Sequence, residues 1–338
     1  VAFGVMAAVF FGASMPFAKL LLADCGPVML AGLLYLGSGL GLSLWRMVKR
    51  EPGAALKKSE WPWLGGAIFF GGVVAPVLLM LGLRRSDAAA GSLLLNLEGV
   101  FTALLAWFVF RENFDRRILF GMLAILSGAV ALAWPGAEMR WSLAGWPIVT
   151  ACLCWALDNN LTRKVSAADP VQIAATKGLV AGCANIGIAF AMGEKLPPPG
   201  IIAAALVLGL VSYGISLVCF VLALRHLGTA RTGAYFSTAP FVGAVLSMLV
   251  FWQLPSAAFW LAGGLMALGV WLHLTEQHEH LHTHEPMAHT HEHLHDEHHQ
   301  HEHGESDPPG EPHTHYHVHE RLTHRHPHYP DIHHRHEH

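Results

Sequence analysis

The sequence predicts an all-α integral membrane protein of about ten transmembrane helices in two inverted five-helix repeats, followed by a disordered His-rich tail. Three observations predict it. Hydrophobic residues make up 53% of the chain and charged residues 13%, where a soluble domain carries about 25% charged residues. Continuous apolar runs of the ~20 residues that cross a ~30 Å hydrocarbon core recur through residues 1–275, without the alternation of outer-membrane strands. The two halves of that region also align on one another.

The runs fall at about 1–22, 27–48, 62–83, 87–110, 117–134, 143–163, 170–192, 200–224, 229–252 and 256–275. Pro27, Pro62, Asp169-Pro170 and Pro197-Pro198-Pro199 punctuate them. Glycines inside runs, as in "GSGLG" and "FFGGVVAP", let helices approach closely in lipid. The chain opens on Val1 inside an apolar run, which reads as a fragment lacking a short N-terminus. Its first run is a span rather than a cleaved signal. Cys25, Cys152, Cys154, Cys183 and Cys219 form no CxxC pair and read as small hydrophobes.

Positive charge sets the expected orientation. Lys49, Arg50, Lys57, Lys58, Arg111, Arg116, Arg117, Arg163 and Lys164 mark one side, against Arg84, Arg85, Arg140 and Lys195 on the other. Both termini are therefore expected in the cytoplasm of a bacterial inner (plasma) membrane.

"GSLLLNLEGVFTALLAWFVF" from Gly91 lies on "GAYFSTAPFVGAVLSMLVFW" from Gly233 without gaps. "FGASMPFAK" from Phe11 lies on "WALDNNLTR" from Trp155 more weakly. An odd number of helices per repeat inverts the second copy, the arrangement of alternating-access transporters with a midplane site. The domains expected are a first repeat at 1–134, a second at 143–275 and the tail at 276–338.

Two five-helix repeats, Gly-x6-Glu/Pro in the fourth and ninth runs (Gly91 to Glu98, Gly233 to Pro240) and a late Lys19 and Arg163 resemble the EamA-like family of the drug/metabolite transporter superfamily. The resemblance covers about 1–275. Members usually carry Trp-Gly where this chain has Phe11-Gly12, and Gly-Glu where it has Arg111-Glu112. The resemblance implies secondary active transport of small organic metabolites, as export.

Ionisable groups in hydrocarbon are costly unless they face a cavity or a partner. Glu98 is the leading candidate, midway along its run, sharing a 4-3-4 face with Gly91, Leu95 and Thr102. A carboxyl there suits proton coupling or cation contact. The equivalent face holds Gly233, Ser237, Pro240 and Ala244. Asn96, Asp158, Asn159 and Trp155 are further pathway candidates. Lys177 either snorkels to the cytoplasm or answers Asp158 or Glu98. Trp155, Tyr213 and Tyr235 either stack on a solute or pack the bundle. No nucleophile with a base, phosphate loop or carboxylate pair points to an enzyme.

The tail holds most of the 25 histidines, as in "HDEHHQHEH" from His295. It is too polar to fold alone. His278, His280, His282, His284, His289, His291, His293, His295, His298, His299, His301, His303, His313, His315, His317 and His319 are the candidate metal ligands, for Zn, Ni, Co or Cu, with no cofactor in the core. Expected partners are the bilayer, a small-molecule substrate and transition-metal ions, with a homodimer left open and no nucleic acid. The core lacks internal His clusters, which favours organic cargo, the tail acting as a metal buffer or regulator. The alternatives are a Ni/Co/Zn transporter fed by the tail, and a membrane-anchored metal buffer or sensor.

Overall fold

The computed structural model describes residues 1–49, 56–110, 116–133, 145–165, 168–252, 254–274, 278–284, 287–293, 313–319 and 322–328. Arg50, Arg111, Glu112 and Arg140, and the side chains of Arg163 and His226, lie outside what is described, as do His295, His298, His299, His301 and His303 and the side chains of His278, His280, His282, His284, His289, His291, His293, His313, His315, His317 and His319. The helical core is one compact unit, Val1–Glu276, and Gln277–His338 form another.

The core is all-helical. Its elements are α1 (Ala2–Leu21), α2 (Pro27–Lys49), α3 (Trp61–Ala67) running through a π-helical segment (Ile68–Val74) into α4 (Ala75–Arg85), α5 (Ala88–Leu94), α6 (Leu97–Phe110) and α7 (Arg116–Ala133). The second half has α8 (Trp146–Arg163), α9 (Pro170–Ala191), α10 (Pro199–Gly209) running through a second π-helical segment (Leu210–Ile215) into α11 (Ser216–Phe236), α12 (Ala239–Phe251) and α13 (Ala257–Leu274). Among the described residues, six helical stretches are long and apolar enough to cross a membrane by themselves, with two shorter apolar ones beside them. Large apolar side chains such as Trp45, Phe120, Val130 and Trp260 face outward, as lipid-facing positions do.

The repeat is visible in the backbone. Ile68 and Leu210, where the π segments begin, are 142 positions apart, and so are Leu95 and Ser237, where helix gives way to a turn. One feature breaks the symmetry. The run expected to end near residue 224 continues as helix through 225–236. In the first half Ser86 is extended and Asp87 caps α5, accepting from the amides of Ala89 (2.8 Å) and Ala90 (3.1 Å). The equivalent Gly228-Thr229 carries no such carboxylate, and a continuous helix results.

Helix pairs α2–α9 and α7–α13 pack tightly. A Cβ on Gly178 would lie 2.5 Å from the Gly39 nitrogen and 2.8 Å from the Tyr35 carbonyl oxygen. The α2–α9 pair is also tied at both ends. Gly193, at φ +79°, ends α9 in the left-handed region that favours glycine. The following Glu194 accepts from the amides of Val28 (3.3 Å) and Met29 (2.7 Å), capping α2. At the other end Arg46 meets Asp169 at 3.4 Å. Cys25 lies in the connection before α2, where burial and then the Glu194 carboxylate push its thiol up to about 11, leaving it protonated and unreactive. Cys152, Cys154 and Cys219 are also buried, while Cys183 is exposed.

In the second unit, β1 (His278–His284) pairs antiparallel with β4 (Leu322–His328), and β2 (Met287–His293) with β3 (His313–His319). This differs from the disorder expected along the tail. Alternating His with other residues is the period-two pattern of a strand, although a two-stranded ladder alone is marginal in water.

Candidate functional site

The site is built around the first π segment. A π turn bonds five residues apart, so backbone carbonyls leave the regular ladder and need other partners. The Gly71 carbonyl accepts from the Tyr35 hydroxyl (2.6 Å) on α2 and from Trp155 Nε1 (3.1 Å) on α8. The Gly72 carbonyl accepts from Asn185 Nδ2 (3.1 Å) on α9. Three spans thus converge on two glycine carbonyls, all buried. Gly71 is required here, because a Cβ would collide with the Asp158 carboxylate.

Lys177 settles the choice left open by its sequence. It is buried and donates to Asp158 Oδ2, whose other oxygen accepts from Thr162 Oγ1 at 2.9 Å. Snorkelling would leave the buried Asp158 carboxylate uncompensated, so the ion pair prevails. The next residue of α8, Asn159, donates from Nδ2 to Glu98 Oε1 at 2.7 Å. Glu98 is half-buried and Asn159 exposed, so this carboxylate reaches accessible surface.

Glu98 does not lie midway along an unbroken helix. A turn at Leu95–Asn96 separates α5 from α6 and puts Glu98 in the first turn of α6, so the face shared with Gly91, Leu95 and Thr102 is interrupted. The cause is local. Asn96 Nδ2 donates to the Leu93 carbonyl (2.9 Å), and the backbone there makes three-residue bonds such as Asn96 N to Leu93 O (3.1 Å).

The structure brings together Glu98, Trp155, Asp158, Asn159 and Lys177. It does not bring Asn96 to them, whose amide faces Met266 (3.9 Å). Gly91 packs near Ser86 and Ile148. Pro240 is buried in the first turn of α12, and Thr102 and Ser237 are half-buried. Lys19 is a clamp, donating to the carbonyls of Leu83 (2.7 Å), Arg84 (3.1 Å) and Ser86 (2.9 Å) at the end of α4.

Aromatic rings close the site. Phe11 meets Trp155 edge-on at 6.1 Å and Tyr213 at 5.8 Å, and Tyr35 meets Tyr213 at 5.2 Å between centroids. Tyr35, Gly71 and Asn185 carry no charge or motif that marks them. For Phe11 the repeat alignment is a signal, since it maps Trp155 onto Phe11 and Asp158 onto Ser14. Tyr35→Phe and Trp155→Phe each remove one donor to Gly71, and each is expected to lower stability by about 1–2 kcal/mol. Thermal unfolding of the purified chain checks this, with the double variant costing more than either single one.

The EamA-like transporter family model matches residues 1–134 and 144–275. The chain belongs to the EamA-like transporter family. It is a multispan membrane transporter. An uncharacterized transporter of Methanothermobacter thermautotrophicus is 26% identical over 79% of this chain and 84% of its own length. A protein of Pseudomonas aeruginosa described as probable 4-amino-4-deoxy-L-arabinose-phosphoundecaprenol flippase subunit ArnE is 36% identical over 34% of this chain and 95% of its own. A probable terminal-alkyne amino-acid exporter of Streptantibioticus cattleyicolor is 25% identical over 58% of this chain and 67% of its own. One solved crystal structure shares the fold, with a TM-score of 0.59 at 18% identity over 80% of this chain and 98% of that one.

Proposed function

We propose that this EamA-family protein is a gradient-driven exporter of small organic metabolites, with its cargo site between the repeats at 1–134 and 143–275. The observation that carries the reading is the accessible Glu98 carboxylate, held by Asn159 beside a buried ion pair and an aromatic cluster. A carboxylate within an apolar span, held by a neutral amide and no cation, is costly without a role in cargo or proton binding. Among the described residues no three His, Cys, Asp or Glu side chains gather as a metal site, which favours organic cargo over metal. The names of two relatives, an amino-acid exporter and a subunit of an aminosugar-lipid flippase, point the same way. Charge distribution favours both termini in the cytoplasm of the inner membrane. The tail, 276–338, binds Zn, Ni, Co or Cu(II) through its histidines and buffers metal or regulates transport.

The test compares the intact chain, a chain ending at Thr275 and Glu98→Gln at matched expression, by mass spectrometry of exported metabolites and of cellular metal. Glu98→Gln is expected to abolish export of at least one organic solute while leaving metal content as in the intact chain. Truncation is expected to change metal content alone. A metal change that Glu98→Gln abolishes would make the core a metal carrier instead.

A further inference from the structure

The strands of the tail hold their histidines in a register that histidine content alone does not require. In β2–β3 the residues directly opposite one another include His289 with His317, His291 with His315 and His293 with His313. In β1–β4 they include His278 with His328, His280 with His326 and His282 with His324. The two ladders keep one register, so that β1 and β2 mirror β4 and β3 across the connection at 294–312. A slip of one residue would set each of these histidines against a residue other than His. Alternate positions of a strand share a face, and so do directly opposite positions of an antiparallel pair. Each ladder therefore gathers its His–His pairs on one face. The other face of β2–β3 has Thr290 opposite Tyr316 and includes Val318, residue types that favour strand. β1–β4 includes Pro327, which has no amide to donate, so β2–β3 is the better built of the two.

Directly opposite Cβ atoms lie about 5 Å apart, and alternate residues of a strand about 7 Å apart. That spacing suits one ion held by a His-x-His of one strand and a histidine of the other, and three imidazoles with a water make a tetrahedral zinc set. The ladder also needs such an ion. Two strands alone are marginal in water, and pairing them across 294–312 closes a long loop. An ion that holds both strands offsets that cost, because its binding energy becomes folding energy. We propose that β2–β3 is a metal-closed hairpin, in which Zn(II) bound by a His-x-His of one strand and a histidine of the other zips the tail into the ladder. The proposal rests on the reading of the tail as metal-binding. It gives the tail two states, open without metal and paired with it, which a regulator requires and a plain buffer does not.

The test follows amide hydrogen exchange of 287–293 and 313–319 in the full chain, in detergent micelles at neutral pH, with and without Zn(II). Excess Zn(II) is expected to slow exchange in both strands about 10- to 100-fold. Every His-x-His within β2 and β3 includes His291, His315 or His317. The triple variant His291→Gln, His315→Gln, His317→Gln is therefore expected to lose the slowing. The control removes as many histidines from the connection, as His298→Gln, His299→Gln, His301→Gln, and is expected to keep it. Equal loss in both triple variants overturns the proposal, making the tail an unstructured array that binds in proportion to its histidines, and leaves the metal-binding reading standing. Slow exchange without Zn(II) also overturns it, since the ladder would then need no ion. Equilibrium dialysis of Zn(II) separates the two readings. If the intact chain binds no more Zn(II) than a chain ending at Thr275, the metal-binding reading fails and the proposal fails with it.

Discussion

Lys177→Met is expected to destabilise the core by about 3–5 kcal/mol, because it leaves the Asp158 carboxylate buried without its cation. The side chains of Asp158 and Lys177 are 6% and 9% exposed, so water cannot replace the partner without opening the bundle. Asp158→Asn leaves an unpaired ammonium and is expected to cost a similar amount. The paired variant Asp158→Asn with Lys177→Met removes both charges and is expected to recover much of the stability, since a neutral pair requires no desolvation of ions. Unfolding of the purified protein in nanodiscs reads all three. A paired variant no more stable than the single ones would mean that Asp158 is held by Thr162 and the backbone around Gly71, with Lys177 incidental.

Gly178→Leu is expected to prevent the core from assembling. Gly178 and Gly39 face each other where α2 crosses α9, and a Cβ on Gly39 would meet the Gly178 carbonyl carbon at 2.7 Å. These contacts are with backbone, so no side-chain rotation relieves them. Forcing the helices apart also moves Tyr35 away from the Gly71 carbonyl and Asn185 away from Gly72, because α2 carries the first and α9 the second. The expected result is little monodisperse protein on size exclusion. Gly187→Leu on the same helix is the control, since nothing lies within 4 Å of a Cβ at Gly187, and it should assemble normally. Equal loss in both variants would trace the defect to glycine content of α9 rather than to the crossing.

Much of this arrangement is legible without coordinates. Ten apolar runs and two half-chains that align 142 positions apart specify an all-helical bundle built twice, because hydrocarbon leaves a chain few ways to satisfy its backbone other than helices. Glu98, Asp158 and Lys177 stand out for a similarly simple reason. Charge in an apolar run is costly enough to need a cause, and the cause is usually function or pairing.

Residue order establishes that spans occur, that they repeat, and which side chains are too polar to be inert. Tertiary structure alone decided which of them meet. Lys177 is equally able, by length, to snorkel or to reach Asp158, and only the packing of α8 and α9 onto the first π segment excludes water and selects the pair. The turn at Leu95–Asn96 moved Glu98 from mid-helix to the start of α6, because one asparagine side chain competes successfully with the helix ladder. Tyr35, Trp155 and Asn185 acquire a shared purpose only through the π segment, whose freed glycine carbonyls are backbone groups and leave no signature in side-chain chemistry. Composition and periodicity record what each residue costs in lipid, whereas partnership depends on distances between helices that no single run encodes.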